Sequence, residues 1–214
     1  MRDPLWKRIP RELKAEFGKY LVIFLMMTLT IGFLSGFLVA DNSMITAYNN
    51  SFQDYNIENG NFLLDREAEP EELQAIEQLG IRLTPNYYLQ LKTGGGPTLR
   101  IFGNRCTPDD IYEGAASVNM VCLMSGRMPD GDEEIAIDRM HADNNGITAG
   151  DTLTISGKEL TVSGLVALSD YSTMFSNNND TMFDALTFGV AVMTPSGWES
   201  LSQDSHVFCS YSWK

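Results

Sequence analysis

Residues 20–40 read YLVIFLMMTLTIGFLSGFLVA, 21 positions without one charged side chain. A helix rises about 1.5 Å per residue, and about 20 residues cover the ~30 Å of hydrocarbon in a bilayer, so the stretch is long enough to span. Twelve of its residues are Leu, Ile, Val or Phe. Their insertion is worth roughly −4 to −7 kcal/mol, with no charge opposing it. A cleaved signal peptide fits less well, because its apolar region usually runs about 7–15 residues and Leu38 stands where a cleavage site wants a small side chain. A helix in a soluble core would keep a polar face. The stretch predicts one transmembrane helix.

It separates two zones of opposite charge. Arg2, Lys7, Arg8, Arg11, Lys14 and Lys19 against Asp3, Glu12 and Glu16 give residues 1–19 a net +3, which leaves −16 for the rest of a chain whose total is −13. Basic flanks stay inside, so the tail 1–19 is predicted cytoplasmic, 20–40 the span, and 41–214 an extracytoplasmic domain. An acidic domain repels phosphate, which argues against nucleic acid as a partner. Within the tail Leu5, Ile9, Leu13 and Phe17 recur every four residues beside Trp6, the pattern of an interfacial amphipathic helix lying against membrane lipid. Pro10 predicts that this helix proper begins there, after a short first turn. Along the span Thr28, Gly32, Gly36 and Ala40 put small side chains in one stripe where a second helix can approach. Glycine is also frequent in membrane helices generally, so the stripe reads equally as background.

Beyond the span, residues 41–56 are polar with scattered aromatics and can continue the helix outward. Residues 57–64 (IENGNFLL) predict a strand. Glu69, Glu71 and Glu72 around Pro70 then open a helix over 70–79, and 81–92 (IRLTPNYYLQLK) predict a second strand with Pro85 at its beginning or on an edge. Residues 57–92 therefore form a strand-helix-strand unit. Residues 93–183 predict a β-rich insertion: the turn TGGGP at 93–97, strands at LRIFGN and 133–138, and a hairpin over 151–163 with its tight turn at Gly157-Lys158, facing Leu153 and Ile155 against Leu160 and Val162. Residues 184–214 repeat the strand-helix-strand pattern, with FGVAVM at 188–193, a helix over 195–201 and a strand over 206–213. The fold class is α+β.

A catalytic constellation is not legible. His141 and His206 stand 65 residues apart with no Cys or carboxylate at metal-ligand spacing, which favours ordinary core or surface roles. DGDEE at 130–134 lacks the alternating ligands of a calcium loop and reads as a solvated turn. NNND at 177–180 reads as a loop, although Asn179 also opens a formal glycosylation sequon. No Walker A loop is present, and neither a metal nor another cofactor is predicted. Cys106, Cys122 and Cys209 lie on the exported side, where a disulfide is permitted. A 106–122 bridge would be worth about 3 kcal/mol in the chain-entropy model; buried reduced thiols are the alternative.

The order of parts resembles the N-terminal portion of FtsX-like ABC transporter permeases with a MacB-type periplasmic core domain. The local sequence agrees at GRMP (126–129), EEIAID (133–138), GITAGDTLTI (146–155) and LTVSGLV (160–166), and the tail 11–20 with a span straight after it is similar to how such permeases begin. The resemblance implies a non-enzymatic permease subunit that pairs with a separate cytoplasmic ABC ATPase, dimerises through its membrane helices, and serves export or mechanotransmission. Such permeases continue with three further spans, so this chain is expected to be a fragment of one. A self-contained membrane-tethered binding or sensor domain is the alternative.

Overall fold

A computed structural model describes residues 5–94, 96–103, 105, 107, 118–177 and 179–214. The chain divides into two compact units, Met1–Asn50 and Ser51–Lys214.

The first unit is helical. Helix α1 (Leu5–Ala15) meets α2 (Phe17–Asp54) at Glu16, whose N–H still donates to the Glu12 carbonyl at 2.9 Å. Pro10 lies inside α1, not at its start. Its ring removes only the N–H that would have reached the Trp6 carbonyl, and an Arg8–Glu12 ion pair of 2.8 Å brackets it. Helix α2 runs unbroken past Ala40, and none of its residues is buried. Phe33 and Leu29 are 75% and 69% exposed, which in water would cost a soluble protein what lipid supplies free. It is the one helix among the described residues long and apolar enough to cross a membrane.

The second unit is a ten-stranded mixed sheet in the order β1-β10-β3-β4-β9-β6-β8-β5, with β2 also on β10 and β7 on β8. The strands are β1 (Gly60–Leu64), β2 (Leu83–Pro85), β3 (Tyr88–Lys92), β4 (Thr98–Phe102), β5 (Val121–Gly126), β6 (Glu134–Asp138), β7 (Thr152–Ile155), β8 (Lys158–Leu168), β9 (Phe188–Val192) and β10 (Val207–Trp213). Helices α3 (Pro70–Glu77), α4 (Arg139–Asn145) and α5 (Pro195–Ser202) connect them. Alternation along the central strands builds two cores. Leu99, Ile101, Ile135, Ile137 and Ala191 face one with Leu201 of α5; Phe102, Ala136, Phe188, Val190 and Val192 face the other with Met174. Each fully buried Leu, Ile or Phe is worth about 1.5–3 kcal/mol.

Both strand-helix-strand units are present, with corrections. Helix α3 starts at Pro70 as predicted, closed by a capping box in which the Glu69 N–H donates to Glu72 at 2.9 Å, but ends at Glu77. The strand expected over 81–92 breaks into β2 and β3 at Asn86, whose N–H nevertheless reaches the Ser210 carbonyl at 2.8 Å. Pro85, which has no N–H to give, closes β2 opposite Tyr211. The hairpin turns at Ser156-Gly157, one residue earlier than expected, pairing Ile155 with Lys158 and Leu153 with Leu160. Both turn residues have positive φ, 50° and 78°, which a two-residue hairpin turn requires and a lysine would resist. Strand β8 then continues to Leu168, and β5 and α4 had no expectation attached to them.

The four motif stretches fold into one piece. Strand β8 lies between β5 and β6, with β7 also paired to it. Gly126 and Gly164 bring β5 and β8 so close that a Cβ on Gly164 would stand 2.4 Å from the Arg127 carbonyl oxygen. Arg127 grips Glu134 through both guanidinium nitrogens, one at 2.6 Å, and the N–H groups of Asp130 and Gly131 donate to the same carboxylate. That guanidinium first, then the backbone donors, hold the Glu134 carboxyl down at about 2. The 130–134 turn is thus organised by its own glutamate.

Candidate functional site

Strand alternation points Leu99 and Ile101 into one core, so Arg100 and Phe102 project from the opposite face of β4. An arginine in mid-strand there must find partners. Its guanidinium carbon sits 4.4 Å from the Tyr88 ring centroid and 5.2 Å from that of Phe188. Its two terminal nitrogens donate to the Tyr171 hydroxyl and the Ser176 carbonyl, each at 2.8 Å. Burial pushes the Tyr171 phenol up, against the pull of Arg100 and Arg105.

Arg105 is more enclosed. Its side chain is 1% exposed and makes a two-pronged pair with Asp170, both contacts 2.8 Å, above the Phe102 ring at 3.9 Å. Burial opposes its charge, but the Asp170 carboxylate outweighs that and leaves the guanidinium's proton held more tightly than usual. The Nε atoms of Arg100 and Arg105 have no hydrogen-bond partner among the described residues; aromatic faces lie against both groups instead.

From buried Arg105 a chain of polar groups runs through half-buried Asn86 and buried Ser212, Asn119 and Glu58 to exposed Asn61. Arg105 donates to Asn86 at 3.4 Å, Asn86 to Ser212 at 3.1 Å, and Asn119 to Ser212 at 3.4 Å. Asn119 also donates to Glu58 at 2.6 Å while accepting the Glu58 N–H, and Asn61 donates to the other Glu58 oxygen at 2.5 Å. Asn119 holds a left-handed φ of 56°, a conformation asparagine tolerates. Of these residues Glu58, Asn61, Asn86 and Asp170, with Arg100 and Tyr171, line a cleft of about 430 Å³, a volume within the range of small-molecule sites. Arg105, Asn119 and Ser212 back them from behind.

None of these residues was singled out by the sequence. The signal that was available is Arg100, a charge in the middle of an otherwise apolar strand; the rest have no local motif. Apart from Asn177 and Asn179 of the 177–180 loop, which line the cleft, the residues that were singled out lie elsewhere. Thr28, Gly32, Gly36 and Ala40 all fall on α2, with open space beside both glycines and the Thr28 hydroxyl turned back to the Phe24 carbonyl at 2.8 Å. Leu13 and Phe17 are exposed on α1 and α2; the side chains of Leu5, Trp6 and Ile9 lie outside the described residues, as does Cys106, the candidate disulfide partner of Cys122. His141 is buried on α4 with Nδ1 2.8 Å from the Ala185 carbonyl, and His206 packs edge-on against Phe208. Among the described residues no three His, Cys, Asp or Glu are grouped to hold a metal ion.

No family model and no curated protein sequence match this chain. Among solved structures, the extracellular domain of the noncanonic ABC-type transporter YknZ from Gram-positive bacteria is similar at 12% identity and a TM-score of 0.36, over 72% of this chain and 83% of that one. The periplasmic region of MacB from Actinobacillus actinomycetemcomitans is similar at 12% identity and a TM-score of 0.36, over 70% of this chain and 65% of that one. Both superpose only loosely on this chain.

Proposed function

We propose that this chain is a permease-type subunit of an ABC transporter of the FtsX/MacB kind. In this reading the N-terminal helix anchors a non-catalytic extracytoplasmic domain, a separate cytoplasmic ATPase supplies the energy, and the subunit dimerises through its membrane helices. The observation that carries the reading is the pairing of the domain's first strand with its last. Strands β1 and β10 are antiparallel neighbours, Gly60 opposite Trp213, and the Asn59 N–H donates to the Trp213 carbonyl at 3.0 Å. Lys214 reaches the Asn56 side chain. A domain that returns its chain to the point of departure suits insertion between two membrane helices, because neither needs to move to accommodate it. The basic tail and the uncovered apolar helix supply anchor and orientation.

Affinity purification of the full-length gene product from native membranes tests the assignment: an ATP-binding subunit is expected to co-purify, and its repeated absence would contradict the reading. Protease added to intact cells, or to spheroplasts of a double-membraned host, should degrade residues beyond the span while sparing the tail.

A further inference from the structure

We propose that the cleft between β1, β3, β4 and residues 170–177 with Asn179 binds a neutral sugar, either free or as the end of a glycan. This stands independently of the permease reading. The first reason is charge. Two guanidinium groups, Arg100 and Arg105, are matched by two carboxylates, Glu58 and Asp170, three of them on the wall itself. An anionic ligand meets the carboxylates and a cationic one the guanidinium groups, whereas an uncharged ligand meets neither penalty.

The second reason is the kind of polar group. Asn61, Asn86, Asn177 and Asn179 line the cleft with the carboxylates and Arg100. Amides donate and accept, carboxylates accept, and the guanidinium donates; planar groups of this mix bracket adjacent hydroxyls, each of which both donates and accepts. Several are fixed in advance: both oxygens of Asp170 by Arg105, both of Glu58 by Asn61 and Asn119. An apolar ligand would strip water from these groups and return nothing.

An aromatic face completes the set: Phe175 stands exposed at the rim, where it can meet the C–H side of a sugar ring, whereas Phe62 turns with its stacking partner Tyr211 to the face of β1 opposite Asn61. Tyr88 is spent, with Phe208 stacked at 4.9 Å and Arg100 against its ring. At the cleft floor β3 lies between β10 and β4, and β4 between β3 and β9, so no peptide strand can be added there; β1, paired to β10, keeps an outer edge, and the tripeptide probe tests it.

The test is calorimetric titration of the full-length chain in phospholipid nanodiscs, since glucoside or maltoside detergents would compete. The probes are glucose, galactose, N-acetylglucosamine, cellobiose and N,N′-diacetylchitobiose. Saturable binding of at least one is expected, weakened about tenfold or more by Phe175→Ala with Asn177→Ala. Both are rim positions, and the melting temperature should not move. A disaccharide preferred over its monosaccharide would point to a glycan end, equal affinities to a free sugar. Absence of saturable binding by any of these sugars overturns the proposal, as does binding that the double variant leaves unchanged. Preference for glucuronate or for a tripeptide overturns it too.

Discussion

Replacing Gly164 with alanine tests the close approach of β5 and β8. The added Cβ would stand 2.4 Å from the Arg127 carbonyl oxygen, 2.8 Å from that of Ser125 and 2.9 Å from the Arg127 nitrogen. Relief to ordinary contact needs a displacement of about 1 Å. All three opposing atoms are backbone, so no side-chain rotation can supply it, and β8 is held on its other side by β6. Overpacking typically costs about 1–3 kcal/mol, and a backbone clash belongs at the top of that range. At about 2–4 °C per kcal/mol for a domain of this size, the melting temperature should fall by about 6–12 °C. Gly146→Ala is the matched control: its Cβ meets nothing within 4 Å, but φ is +66°, so the cost is only the left-handed penalty of about 1–2 kcal/mol. Thermal unfolding of the full chain, followed by near-ultraviolet circular dichroism, separates the two. Should Gly164→Ala melt no lower than Gly146→Ala, the sheet does not depend on this contact and the account of the glycine pair is wrong.

The other expectations concern charge, burial and the membrane helix. Because the Glu134 carboxyl is held at about 2, below its ordinary range, its contribution is complete above about pH 4.5 and is lost as pH falls toward about 2. Urea midpoints of Glu134→Gln should therefore vary less over that window than those of the unsubstituted chain; an identical slope would count against the Arg127–Glu134 clasp. Asp170→Ala strands a guanidinium that is 1% exposed and should cost about 3–5 kcal/mol in urea unfolding. A cost under about 1 kcal/mol would show that Arg105 finds another partner. Leu99→Ala, at a fully buried site in β4, should cost about 2–5 kcal/mol by the same measurement. Gly32→Leu with Gly36→Leu should lower the yield of cysteine-crosslinked dimers in membranes, and an unchanged yield would remove the stripe from the dimer contact.

Local chemistry made much of this fold legible. Pro70 behind Glu69, the alternation at Ile135 and Ile137, and the apolar run FGVAVM each carry their element on their face, and α3, β6 and β9 fall where that pattern puts them. Elements decided by distant partners were not legible. Strand β5, VCLMSG, has no alternation to announce it and exists because β8 is long enough to pair with it. Helix α4 has only seven residues, too short for a periodic stripe; its signals are the Asp138 side chain accepting two N–H groups and Gly146 at a left-handed φ. The break at Asn86 arises because one residue must serve both β10 and Arg105. The cleft is the extreme case, since Glu58, Asn119 and Asp170 become neighbours only after the sheet has closed.

Strand β10 is synthesised last among these elements, yet it joins β1 on one side to β2 and β3 on the other. Under the proposed topology, β1 and β2 have no strand partner until residues 207–213 have crossed the bilayer. Maturation is then all-or-nothing: a nascent chain stalled short of Val207 would present open edges to quality-control proteases and aggregation instead of a partly functional domain. Pulse-labelled truncations ending before that point should turn over far faster than the full length.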